Sequence, residues 1–144
     1  MIYGIGLPRT GSSTLAEALR LLGYKGTNYC ILYNDLKQDT STQFIVNNSI
    51  FNRIESFYAE ANKVPNEDLF ILTTRRDDRW YDSIIQYPEH TEIPLPSTYE
   101  GIVKELIPQD KLLVVNWEEG NGWSEICNFI GSNLPIFDFP CKNC

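Results

Sequence analysis

Long apolar runs are missing from this sequence of 144 residues. No stretch approaches the roughly 20 residues that a bilayer-spanning helix needs, so a helical membrane span is excluded. The opening Met1-Ile2-Tyr3-Gly4-Ile5 has no basic region, and Pro8 and Arg9 interrupt it early. No secretory leader is therefore expected, and the cytoplasm is the expected setting. Positive charge is short as well: 12 Lys and Arg stand against 19 Asp and Glu, for a net charge of -7. That balance argues against a nucleic-acid or acidic-membrane binder, whose surfaces are usually basic. Cysteine is scarce, with Cys30, Cys127, Cys141 and Cys144. Only the last two have C-x-x-C spacing, and a zinc site would need two further soft ligands. Reduced, incidental thiols and no metal are expected. Histidine is limited to His90.

What is present is ordinary globular composition, 42% apolar with three tryptophans, on a length suited to one domain with one core. Residues 1–144 are read as a single domain. Local features carry more information than these totals. Gly6-Leu7-Pro8-Arg9-Thr10-Gly11-Ser12-Ser13-Thr14 follows a short apolar strand and runs into the helical Leu15-Ala16-Glu17-Ala18-Leu19. Gly6 and Gly11 have the spacing of the two P-loop glycines, and Ser12-Ser13 occupy the place of Lys-[Ser/Thr]. The lysine that grips phosphate is missing, and Arg9 stands inside the loop instead. Backbone N–H groups, hydroxyls and a helix N-terminus can still cradle an anion there.

Strand and helix patterns alternate along the chain. Strands are expected at Ile2–Gly6, Gly26–Tyr33, Leu69–Thr74 and Lys111–Asn116. Helices are expected from Ser12 to a stop at Gly23, over Ile50–Ala61, after an N-cap at Asp77 or Asp78, over Tyr99–Ile107, and over Trp123–Ile130. Asn34–Thr42 reads as a polar loop. This alternation implies an α/β fold, a three-layer sandwich with a mainly parallel central sheet. Ligands gather at the carboxyl ends of the strands in such folds, and Arg9, Arg75 and Asn116–Glu118 all lie just beyond such ends.

Thr73-Thr74-Arg75-Arg76-Asp77-Asp78-Arg79-Trp80-Tyr81-Asp82-Ser83 forms a second constellation. Arg75 leaves a buried strand, where a cation is costly unless it meets an anion. A guanidinium and the hydroxyl of Ser83 could grip one phosphate together. The competing reading is local pairing with Asp77, Asp78 and Asp82, which is favoured for Arg76 and Arg79. Trp80, Tyr81, Trp117 and Trp123 read as packing residues.

These segments carry a family resemblance. Gly6 through Leu19 looks like the 5′-phosphosulfate loop of sulfotransferases that use 3′-phosphoadenosine-5′-phosphosulfate (PAPS), in the branch reading GLPRTGTTSL. Ile71 through Arg75, with Trp80-Tyr81-Asp82-Ser83, resembles that family's 3′-phosphate motif, T-x-R-D-P-E-x-W-Y-x-S. Asn116-Trp117-Glu118-Glu119-Gly120, Trp123, Cys127–Gly131 and Phe139-Pro140 are similar to its closing strand–helix–FP segment. The resemblance implies a P-loop-like fold and metal-free transfer of a sulfuryl group from PAPS to a small-molecule or glycan acceptor, releasing PAP. It implies that Arg9 stabilises charge at the bridging oxygen and that Thr10, Gly11, Ser12, Ser13 and Thr14 hold the 5′-phosphosulfate. Arg75 and Ser83 would hold the 3′-phosphate.

The chain departs from the family pattern at Arg76-Asp77, where Asp-Pro is usual, and at Thr27-Asn28-Tyr29-Cys30, where relatives often carry a histidine or acidic residue. It departs again at Cys141, where the closing pattern has histidine. The middle of the chain is also short for the family. Candidates for the missing base are His90, Asp35, Asp39 and Glu118. His90 has the most suitable unperturbed pKa and is paired with Arg9 as catalytic, against a solvated surface role. A noncatalytic module binding PAP or another phosphate ligand is the alternative. A P-loop small-molecule kinase is a third reading, opposed by the serine at position 12.

Overall fold

The computed structural model describes residues 1–29, 41–62, 67–87 and 90–140. Five parallel strands form one sheet in the order β2-β3-β1-β4-β5: β1 (Ile2–Gly4), β2 (Gly26–Tyr29), β3 (Phe44–Asn47), β4 (Leu69–Thr73) and β5 (Leu112–Val115). Every adjacent pair is parallel, as right-handed strand–helix–strand crossovers require. The helices are α1 (Ser12–Leu21), α2 (Ile54–Ala61), α3 (Asp77–Ile84), α4 (Pro96–Leu106) and α5 (Trp123–Ile130).

Period-two alternation sends the strand side chains to two cores. Ile2, Phe44, Val46, Ile71 and Val115 pack with Leu15, Leu19 and Ile126, which places α1 and α5 on one face. Tyr3, Ile45, Phe70 and Leu72 pack with Phe57, Trp80, Ile84, Tyr99 and Val103, which places α2, α3 and α4 on the other. The result is the three-layer α/β sandwich. Strands buried on both faces read as continuous apolar runs, which is why Leu69–Leu72 was legible.

Four local expectations are corrected. The sheet has a fifth strand, β3, with only four residues, Phe-Ile-Val-Asn, and so no visible period of its own. The segment from Ile50 starts as a 3-10 turn to Arg53 before α2 begins. Arg76, not an aspartate, is the N-cap of α3. Asp77 instead accepts hydrogen bonds from the backbone N–H of Ser97 (2.9 Å) and from its hydroxyl, capping the start of α4 from outside. Tyr81 is exposed rather than packed. Of the expected strand 26–33, residues 30–33 lie outside the described residues.

The sheet order brings the loop after β1 beside the loop after β4, because β1 and β4 are neighbours and their chains leave in the same direction. Ile5 continues β1 by donating its N–H to Ile71 O at 3.0 Å. Tyr99 reaches through the core to donate its hydroxyl to Ile5 O at 2.7 Å, and burial pushes its pKa up. The chain is thereby fixed on both sides where the glycine loop begins.

Candidate functional site

The loop from Gly6 to Gly11 has its shape imposed by what surrounds it. A Cβ on Gly6 would lie 2.7 Å from the carbonyl oxygen of Thr73, so only glycine lets the two strand ends meet. Thr10 is buried and its hydroxyl is used inside the loop. It donates to Leu7 O at 2.6 Å and shares a hydrogen bond with the Thr73 hydroxyl at 2.8 Å. Trp80, whose packing role is confirmed by its burial, also donates its indole N–H to Pro8 O at 2.9 Å. Arg9 is held at φ 65, a left-handed conformation that non-glycine residues seldom adopt. Gly11 follows at φ 90 and caps α1.

The first bond of the α1 ladder runs from Leu15 N–H to Gly11 O at 3.2 Å, so the helix itself uses neither the Ser12 nor the Ser13 N–H. No side chain caps this end and its first turn carries no acid. The positive end of the helix dipole therefore faces the cleft with no acid in the helix's own first turn. Arg9, Thr10, Gly11, Ser12, Ser13 and Thr14 line that cleft together with Arg75. Asn48, Thr74, Asn116, Trp117 and Glu118 complete it.

Charge at the cleft is organised around Glu118. Arg75 donates to it from Nε (2.8 Å) and Nη2 (3.2 Å), and a further Arg75 N–H reaches Arg9 O at 3.4 Å. Arg79 joins from the outside, with Nη2 3.0 Å from Oε2. The hydrogen bond from Arg75, helped by that from Arg79, holds the Glu118 carboxyl below its usual range despite partial burial. Glu118 is thus a poor proton acceptor as it stands. Arg79 was expected to pair locally and does not; its partner is 39 residues away. Arg76 does pair locally, with Asp78, which is lowered to about 2 mainly by that hydrogen bond.

A pH prediction follows for Glu118. Its folded-state pKa is depressed, so its contribution to stability is complete above the unfolded value, about 4.3, and is lost as pH falls through the lower folded value. For a pair this close to solvent the contribution is on the order of 1 kcal/mol. Urea denaturation of the wild type and Glu118→Gln should show a gap at pH 7 that narrows as pH falls below about 4. A gap that persists unchanged at the acid end would assign the effect to packing.

The expected site residues are not all gathered in the same way. Ser83 is not among the residues lining the cleft; its hydroxyl accepts from Arg9 Nε at 2.9 Å, whereas Arg75 turns to Glu118. The Arg9 guanidinium also lies 5.8 Å from the centre of the Tyr87 ring. His90 opens a short 3-10 turn, His90–Glu92, and its side chain lies outside the description. Asp35, Asp39 and the Cys30, Cys141 and Cys144 thiols lie outside the described residues. Cys127 is buried and free, and burial pushes its thiol pKa up. Among the described residues no group of His, Cys, Asp and Glu could hold a metal ion, and no helix is long and apolar enough to cross a membrane.

Sequence reasoning passed over Asn48 and Thr74. Asn48 follows the strand that was missed, where Asn47-Asn48-Ser49 after an apolar triplet is the turn signal that could have revealed both.

The family model described as a sulfotransferase domain matches residues 96–144. That third of the chain is similar to a sulfotransferase domain. The matched segment takes in α4, β5, the Trp117–Glu118 turn and α5, so it supplies one wall of the cleft. The glycine loop and Arg75 stand outside the match, and the sheet, which sets β4 beside β5, brings them to the same cleft. No curated protein matches the chain.

Proposed function

We propose that this chain, whose residues 96–144 are similar to a sulfotransferase domain, transfers a sulfuryl group from PAPS to a hydroxyl or amine of a small-molecule or glycan acceptor. The observation that carries the reading is a helix N-terminus with no side-chain cap and no acid in its first turn, lined by the loop 9–14 and by Arg75, with no lysine in the P-loop position. PAPS supplies the activated sulfuryl group; its transfer breaks the bond from sulfur to the bridging oxygen and forms one to the acceptor, whose proton leaves.

The residues fit an anion of this kind. The N–H groups and hydroxyls of Ser12 and Ser13 can receive a phosphosulfate, whereas the Thr10 hydroxyl is engaged inside the loop. Arg9, exposed at the cleft, neutralises charge that develops on the bridging oxygen. Arg75 has five N–H groups, of which Glu118 and Arg9 O engage three, leaving two for a phosphate. Little covalent chemistry is asked of the protein, so positioning and electrostatics dominate, as in phosphoryl transfer.

One observation favours the noncatalytic reading. The carboxylate among the lining residues, Glu118, is held by two arginines with a lowered pKa, and among the described residues no other lining group is a ready base. A module that binds PAP without turning it over would have this site.

Thermal unfolding with PAP, ATP and GTP, each with and without magnesium, tests both. PAP is expected to raise Tm without magnesium, equivalent to about 2.7 kcal/mol at 100 times its Kd. Stabilisation by magnesium-ATP alone would overturn the proposal. PAP binding with no conversion of PAPS in the presence of candidate acceptors would favour the noncatalytic module.

A further inference from the structure

The residues after α5 run from Gly131 to Pro140 without regular secondary structure, and their largest apolar side chains, Leu134, Ile136 and Phe137, are exposed. Little packing therefore holds this strap to the body. One side chain is different. Phe139 lies between two tryptophans, 4.9 Å from the Trp117 ring at a tilt of 49°, and 5.1 Å from the Trp123 ring, edge to face at 86°. Trp123 fixes the same strap by donating its indole N–H to Phe137 O at 2.8 Å.

Trp117 passes that contact to the anion loop. Its indole N–H donates to Gly11 O at 2.9 Å. Its ring lies so close to the Gly11 Cα that an added Cβ would sit 2.4 Å from Cδ1. The turn carrying Trp117 is itself rigid: Asn116 accepts the Glu118 N–H at 3.0 Å and donates its own N–H to Asn121 Oδ1 at 2.8 Å. The Gly11 carbonyl is thus fixed from outside the loop, and the peptide it belongs to carries the Ser12 N–H that faces the cleft.

We propose that Phe139 is a positioning residue: through Trp117 it sets the Gly11–Ser12 peptide, so that the C-terminal strap controls anion affinity at a loop more than 120 positions earlier in the chain. The inference rests on the loop being an anion site, and goes beyond it in assigning the strap a role there. Aromatic contact on one face of the indole and a hydrogen bond from its edge leave the ring little freedom. Without Phe139 the indole can tilt away, and the Gly11 carbonyl then keeps only its helical partner.

Isothermal titration of the full chain with PAP and with inorganic pyrophosphate tests this. Phe139→Ala is expected to weaken both at least tenfold at a temperature where circular dichroism shows the fold intact. Phe139→Tyr should recover most of the loss, and Ile136→Ser, on the same strap but fully exposed, should change nothing. If Phe139→Ala does not fold, Trp117→Phe keeps an aromatic ring and removes the N–H donor, and the same tenfold loss is expected. Lowered Tm with unchanged affinities would make Phe139 merely structural and overturn the inference. Wild-type binding of pyrophosphate but not PAP would remove the PAPS reading and leave the strap's role to be decided by the variants. Binding of neither would overturn both.

Discussion

Gly11→Ala is expected to destabilise the protein by about 3–5 kcal/mol, while Gly23→Ala at nearly the same φ costs only about 1 kcal/mol. The comparison works because the two glycines share one feature and differ in the other. Gly11 has φ 90 and Gly23 φ 95, so each substitution places an L side chain in the left-handed region. Around Gly23 a Cβ meets nothing within 4 Å, so it pays the conformational term alone. At Gly11 the Cβ would come within 2.5 Å of both Cδ1 and Nε1 of Trp117. That indole is hydrogen-bonded to the Gly11 carbonyl and backed by Phe139, and cannot withdraw without losing both contacts. Urea denaturation of the two variants gives the difference directly. Equal costs would show that the indole swings aside freely. Adding Trp117→Ala should make Gly11→Ala cost no more than Gly23→Ala, a coupling that a double-mutant cycle reads.

Arg9 is expected to behave in the opposite manner, with a large effect on chemistry and almost none on folding. Arg9→Ala should slow conversion of PAPS to PAP, with water as acceptor, by about 100- to 1000-fold, the range for removing one preorganised donor to a developing oxyanion. Its folding should change by less than about 1 kcal/mol, because the guanidinium is exposed and its contacts to Ser83 and Tyr87 lie at the surface. Arg9→Gly sharpens the test. Glycine relieves the left-handed conformation at φ 65, so this variant should be at least as stable as Arg9→Ala and equally slow. Arg9→Lys keeps the charge but not the planar donor to Ser83, and should fall between. Turnover within threefold of wild type for Arg9→Ala would remove Arg9 from the chemistry.

The fold was legible where burial is two-sided and the run long enough to show it. Leu69–Leu72 and Leu112–Val115 declare themselves as buried parallel strands, and Trp123–Ile130 shows both its apolar face and its terminal Gly131. Phe44–Asn47 did not, because three apolar residues fit a strand, a turn of helix or a loop equally well. Its place between β1 and β2 is decided by pairing partners distant in sequence. The same limit applies to polar groups. Nothing local separates an Arg79 that pairs with Asp82 from one that pairs with Glu118. Nor does the sequence reveal that the Thr10 hydroxyl turns inward to Thr73.

By itself, the sequence determined the alternation of strands and helices, the glycine-bounded loop and the substitution of Arg9 for a P-loop lysine. These are properties of neighbouring residues, written in apolar spacing and in backbone freedom at Gly6 and Gly11. The tertiary structure alone decided which groups meet. It set Glu118 on Arg75 and Arg79, gave Ser83 to Arg9, and closed Trp117 over Gly11 under Phe139. Those pairings span 22 to 106 positions, where sequence spacing carries no distance information. They depend on the order in which five parallel strands lie side by side.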